Sequence, residues 1–217
     1  PPKPYALDSA AYAADVAEVR AVAGTSATRS PEQTEVARFH TEPPSGFWAR
    51  NLRRFAAGQA GPGDAGRLMA MIYTSYSDAI GACFDTKYAY QLWRPMHAIR
   101  LAATDADPGW TPFVPTPPHP EYPAAHGCAA GAVSEALRTF HGTQRVAFEF
   151  DSTATKSVRR YPSTGALVEE INNARVWGGM HYRTSTVVGA ELGRQVAQYV
   201  LAQHFQPPPR GPPPLPQ

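Results

Sequence analysis

Between residues 65 and 90 the positions Leu68, Met71, Ile72, Ser75, Ala79, Ala82 and Cys83 recur every three or four residues. That period draws one stripe along a helix and predicts a long helix from about Ala65 to Tyr90, capped by Asp64. A shorter helix is predicted from Asp8 or Ser9 to about Val22. Ser30-Pro31-Glu32-Gln33 reads as an N-cap, a proline in the first helical turn and a capping-box glutamine, opening a helix that carries Val36, Ala37, Phe39 and His40. Further helices are predicted over Phe47–Ala57, Ala124–Phe140, 163–177 and 186–204, with Gly178-Gly179 turning the chain between the last two. Alternating patterns are scarce, and Val146–Phe150 is the one segment that reads as a strand. Residues 104–123 hold seven prolines and no period, which predicts a long ordered loop carrying Trp110, Phe113 and Tyr122. The expectation is an all-α bundle, followed by a Pro-rich tail over 206–217 that is extended and polyproline-like.

Composition removes several function classes. Hydrophobic residues are 43% and charged residues 18%, as in a chain that buries a core. Lys+Arg total 20 against 18 Asp+Glu, with no basic block, which argues against a nucleic-acid binder. The most apolar stretch, Leu68–Phe84, is interrupted by Thr74, Ser75, Ser77 and Asp78, so no membrane span is expected. Two cysteines make no disulfide framework; Cys83 and Cys128 are expected as buried reduced thiols. A bridge between them needs Cα atoms within about 7 Å. No CxxC or HExxH pattern offers a zinc site. The first residue is Pro1 and no signal-like segment follows it, so a processed or truncated chain is expected.

Candidate chemistry lies in four segments. Lys87 and Arg94 are seven residues apart, which on a continuous helix returns both to one face, where two like charges call for an anion between them. Glu121-Tyr-Pro-Ala-Ala-His126 opens a helix with no side chain to cap its first N–H groups, an anion cradle with His126 at its rim. Arg175 and His181 flank Gly178-Gly179, and the turn lets them converge. His119 stands in the Pro-rich loop seven residues before His126. Three cations, a helix N-terminus and histidines together define a site for a multiply charged tetrahedral oxyanion.

This ordered set resembles the vanadium-dependent haloperoxidase and type 2 phosphatidic acid phosphatase superfamily. The stretches RPMHAIR, WTPFVPTPPHPEYP, RVWGGMHYRTS, RSPEQTEVARF and GAELGRQVA are similar to its soluble bacterial haloperoxidase-like branch, and the likeness runs over residues 5–205. It implies a helical bundle of the haloperoxidase and acid phosphatase type, with the Pro-rich loop at the active site. It implies vanadate as cofactor, with phosphate or sulfate as alternative occupants. Lys87, Arg94 and Arg175 would hold the oxyanion oxygens, with the backbone N–H of Ala125. His126 would be the acid–base group. His181 would be the vanadium ligand, or the phosphorylated nucleophile of a phosphatase. Lys87 would also polarise the oxidant. Hydrogen peroxide, halide and a small organic substrate would be the partners. A secreted or periplasmic soluble protein is favoured over a cytoplasmic one. His119 and Phe84 stand where the family sets halide selectivity, and by resemblance bromide or iodide is favoured over chloride. The alternatives are a soluble acid phosphatase and a catalytically weakened oxyanion-binding relative.

Three departures from the family pattern matter. Pro-Ser-Gly-His is here Pro123-Ala124-Ala125-His126, so a hydroxyl is missing and Ala125 must accept the glycine's backbone geometry. The phosphatase aspartate four residues after the second histidine is here Ser185, leaving Asp78, Asp85 and Glu170 as candidate acceptors for the second nitrogen of His181. Members of the branch carry a longer helical region before the part seen here, so a missing N-terminal helical region or a homo-oligomer is expected to complete the bundle.

Overall fold

The structure is a computed structural model that describes residues 1–206 apart from 26, 28 and 60. The expected Pro-rich tail lies outside the described residues from 207 onward. Eight helices form among the described residues: α1 (Ala10–Ala23), α2 (Pro31–Phe39), α3 (Pro44–Ala57), α4 (Pro62–Tyr90), α5 (Pro95–Arg100), α6 (Ala125–His141), α7 (Thr164–Trp177) and α8 (Arg183–His204). A hairpin of β1 (Phe148–Ser152) and β2 (Ser157–Tyr161) joins α6 to α7. The fold is the mostly helical bundle expected. No helix among the described residues is long and apolar enough to cross a membrane.

Local signals set most boundaries. Ser9 caps α1 by accepting from the Tyr12 N–H, and Ser30 and Gln33 close the capping box of α2. The stripe on α4 buries Leu68, Met71, Ile72 and Ala79 against Ala132, Val133, Ala136 and Leu137 of α6. Phe47, Trp48 and Leu52 of α3, Leu167 and Ile171 of α7 and Leu201 of α8 complete this core. A second cluster, Val19, Ile99, Trp110, Val176 and Tyr182, pins α1, α5 and the Pro-rich loop to the end of α7.

Four expectations change. Lys87 and Arg94 do not share a continuous helix: α4 ends at Tyr90, Gln91 takes a left-handed φ of 49°, and Arg94 is the N-cap of α5. The turn, not the helical period, brings the two cations together. α5, six residues long, is too short to show a period in sequence. Strand β2 escapes the alternation rule because Val158 points outward while Arg159 is drawn inward by Glu170 and Glu32. Cys83 and Cys128 are joined as a disulfide, with Cα atoms 6.4 Å apart, because α4 and α6 cross where both side chains face the seam.

α6 and α8 meet with no side chain between their backbones. A Cβ on Gly131 would strike the carbonyl of Ala190, and one on Gly193 the carbonyl of Cys128. Gly81, on the exposed face of α4, has nothing within 4 Å. Gly193→Ala is expected to lower stability by about 1–3 kcal/mol through forced separation of the helices. Gly81→Ala should raise it by up to about 1 kcal/mol through helix propensity. Urea midpoints followed by circular dichroism check both signs.

Candidate oxyanion site

The start of α6 supplies open backbone donors. Ala124 is its N-cap, with φ −71° and ψ 118°, and no side chain caps the first turn. Ala125 begins the helix and is not among the residues of positive φ, so replacing the family's glycine leaves the backbone unstrained. Ala124 N–H donates to the Ser185 carbonyl at 2.9 Å, which ties this end to the start of α8.

The end of α7 brings the next two groups. Gly178 closes the helix and Gly179 turns with φ 83°, so Met180 and His181 fold back against Arg175. Arg175 is 3% exposed. Its Nη1 donates to the His40 carbonyl at 3.1 Å and its Nη2 to Met180 Sδ at 2.7 Å, while Nε is buried without a partner. Burial pushes its pKa down to about 9, with Arg94 adding to the shift.

His181 is held at both nitrogens. Nδ1 lies 2.9 Å from Glu121 Oε1, and Nε2 lies 2.9 Å from Arg94 Nη1. Burial, then Arg94 and Lys87, hold its pKa well below the usual histidine value, so the ring is neutral. Arginine can only donate. Nε2 therefore carries the lone pair and Nδ1–H donates to the carboxylate. Glu121 is fully buried; Oε1 also accepts from the Tyr182 N–H at 3.0 Å, and Oε2 from the Ser185 hydroxyl. Burial raises its pKa to about 7 against these hydrogen bonds.

Lys87 and Arg94 converge on the same spot from behind. Lys87 Nζ donates to the carbonyls of Pro120 and Glu121 at 2.8 and 2.9 Å, and burial lowers its pKa to about 7. Arg94 donates from Nε to the His119 carbonyl, from Nη1 to the Met180 carbonyl and from Nη2 to His119 Nδ1. Burial lowers its pKa to about 10. Burial first, then Arg94 and Lys87, lowers His119 to about 4, and its ring packs 5.1 Å from that of Phe84. His126 is likewise kept neutral by burial and by Arg175.

A cavity of about 170 Å³ joins these groups. Ala125, His126, Arg175, His181, His119 and Phe84 all border it; Lys87 and Arg94 stand outside its lining, with carbonyls on their donors. Three buried cations face one buried carboxylate, an imbalance that favours an incoming anion.

Glu121 is the functional residue that the sequence reading missed as a partner of His181. Asp78 and Asp85 are exposed on α4, and Glu170 bonds His40, Arg159 and Tyr161 instead. The available signal was a lone acid among prolines and aromatics, two residues before the helix start. His40, whose carbonyl steadies Arg175, carried no such signal.

The profile of the VCPO second helical-bundle domain family matches residues 67–207, and the chain belongs to that family. A solved bacterial vanadium-dependent iodoperoxidase is similar over 94% of this chain and 52% of its own, with 28% identity and a TM-score of 0.77. A bacterial vanadium-dependent chloroperoxidase in its apo form shares the fold at 17% identity and TM-score 0.74, over 89% of this chain and 49% of its own. The chain thus spans about half the length of these solved relatives. A search of curated proteins finds no match.

Sulfate keeps a constant charge across neutral pH, so its affinity reports the protein's own charges. Burial lowers Lys87 and raises Glu121, so this buried pair releases protons as pH rises across neutrality, and each proton lost makes the site more negative and weakens the anion. Calorimetric titrations from pH 6 to 9 should show sulfate affinity falling, and falling less in Lys87→Met.

Proposed function

We propose that residues 5–205 form the catalytic bundle of a vanadium-dependent haloperoxidase that oxidises halide with hydrogen peroxide, bromide or iodide in preference to chloride. The observation that carries it is the buried Arg175 Nε, left without a partner beside the uncapped start of α6 and a neutral His181. The donor set fits vanadate. Lys87 uses two of its three protons on carbonyls and retains one. Arg94 retains one N–H on Nη2, and Arg175 retains Nε. These three cations and the Ala125 N–H would hold the oxyanion oxygens, and His181 Nε2 would be the ligand. The Arg94 contact to Nε2 is the bond that ligation would exchange. When bound, vanadate supplies Lewis-acid activation of the oxidant.

The chain's own residues do the rest. Glu121 fixes the His181 tautomer and raises the basicity of Nε2. Lys87 directs positive charge at the oxidant. Neutral His126, at the cavity wall, accepts and returns protons. His119 and Phe84 border the space that halide would enter, which supports them as selectivity positions. The solved relative at 28% identity is an iodoperoxidase, which supports iodide as one of the two halides.

One observation also favours a soluble acid phosphatase. The carboxylate lost at Ser185 is replaced by Glu121 on the same imidazole, with Ser185 now donating to it, so His181 is equipped as a nucleophile.

Monochlorodimedone bromination with and without orthovanadate, beside p-nitrophenyl phosphate hydrolysis, separates the two. Vanadate-stimulated bromination is the expected result; vanadate-inhibited phosphate release with no bromination would select the phosphatase, and neither activity would select a non-catalytic oxyanion binder. His181→Ala should abolish turnover in either enzyme, and unchanged turnover would remove His181 from the mechanism. Ala124→Ser restores the missing hydroxyl at the cradle. A hydrogen bond to a charged group contributes ~1.5–3 kcal/mol, so the phosphate dissociation constant should fall at least about tenfold.

A further inference from the structure

The walls of the cavity contain more than the oxyanion chemistry uses. Tyr76, Ile80 and Phe84 follow one another at four-residue spacing on α4 and line it as one stripe. Trp48 of α3 stands beside Tyr76, ring centroids 6.5 Å apart, and is 3% exposed. A halide ion needs no wall of three aromatic rings. The volume, about 170 Å³ with the polar floor included, is close to the ~150 Å³ of an apolar cavity that takes up benzene. With the floor occupied, a single ring lying along the aromatic wall and reaching toward the open side is the largest aromatic group that the space suits. Aromatic walls favour edge or offset contact with another ring.

The rim gives that ring a polar anchor. His119 Nδ1 lies 3.0 Å from Arg94 Nη2 and 3.2 Å from the Pro120 carbonyl; the arginine can only donate, and its shorter, charge-assisted bond sets Nδ1 as the acceptor and the proton of the neutral ring on Nε2. That donor belongs to a side chain that borders the cavity and packs on Phe84.

We propose that the Trp48–Tyr76–Ile80–Phe84 wall binds a single-ring phenol whose oxygen accepts from His119 Nε2–H, so that halogenation occurs on a bound substrate. This rests on the haloperoxidase reading of the polar floor. On the floor bromide takes an oxygen from hydrogen peroxide: the Br–O bond forms as the O–O bond breaks, bromide gives up two electrons to the peroxide, and the released hydroxide takes a proton, leaving hypobromous acid and water. A ring carbon bonds to bromine, the Br–O bond breaks, and the displaced ring proton joins the departing hydroxide as water.

Phenol binding is measured by saturation-transfer NMR and tryptophan fluorescence, with orthovanadate present and peroxide and halide omitted. Saturable phenol binding is expected, with cyclohexanol weaker and 2-naphthol excluded. Ile80→Trp fills the space and should weaken phenol at least about tenfold. Phe84→Ala removes the surface beside His119 and should also weaken it; it serves where Ile80→Trp does not fold. Linear, non-saturable phenol signals overturn the proposal, as does wild-type affinity in a folded Ile80→Trp. Bromide oxidation without any organic acceptor is assayed separately. Its failure beside saturable phenol binding removes the haloperoxidase reading and leaves the ring site supported. Bromide oxidation without saturable phenol binding overturns the ring site alone.

Discussion

The hydrogen bond between Glu121 and His181 holds the two halves of the site together. Glu121 comes from the Pro-rich loop, whereas His181 comes from the turn after α7. The same carboxylate takes the Tyr182 N–H and the Ser185 hydroxyl at the start of α8. Its backbone carbonyl takes Lys87 from the end of α4. One buried side chain thereby sets the imidazole's tautomer, anchors the loop and offsets part of the charge of three cations. Removing it would leave those cations buried without a counter-charge, which is far more destabilising than losing a surface ion pair.

The arrangement explains why the cations keep donors in reserve. Carbonyls of the loop and of Met180 take two protons from Lys87 and two from Arg94, and ring nitrogens of His181 and His119 take two more from Arg94. Such partners satisfy hydrogen-bonding need without cancelling charge. The cations are therefore held in place by the fold itself, and the Arg94–His181 contact is the one that a ligand on Nε2 would have to exchange.

Much of this was legible in the chain. The capping box at Ser30–Gln33, the stripe on α4 and the turn at Gly178-Gly179 are local signals with local causes, and the structure follows them. The gathering of Ala125, His126, Arg175 and His181 was legible because two helix ends and a glycine turn imply it. What stayed hidden depends on contacts distant in sequence. Glu121 meets His181 across sixty residues, and Arg159 turns inward only because Glu170 and Glu32 await it. Cys83 and Cys128 meet only when α4 crosses α6. Gln91 gives no warning of its left-handed turn, since glutamine is not a residue that favours it.

The glycine seam between α6 and α8 bears on how this enzyme family can diversify. Because main chain rests on main chain at Gly131 and Gly193, α6 can neither slide nor tilt without losing its footing, and the amides at its tip keep their aim. Variation is steered elsewhere. The walls contributed by α3 and α4 can change shape one side chain at a time while the open amides of α6 stay in register, so the cavity can be reshaped around a fixed cluster of charge.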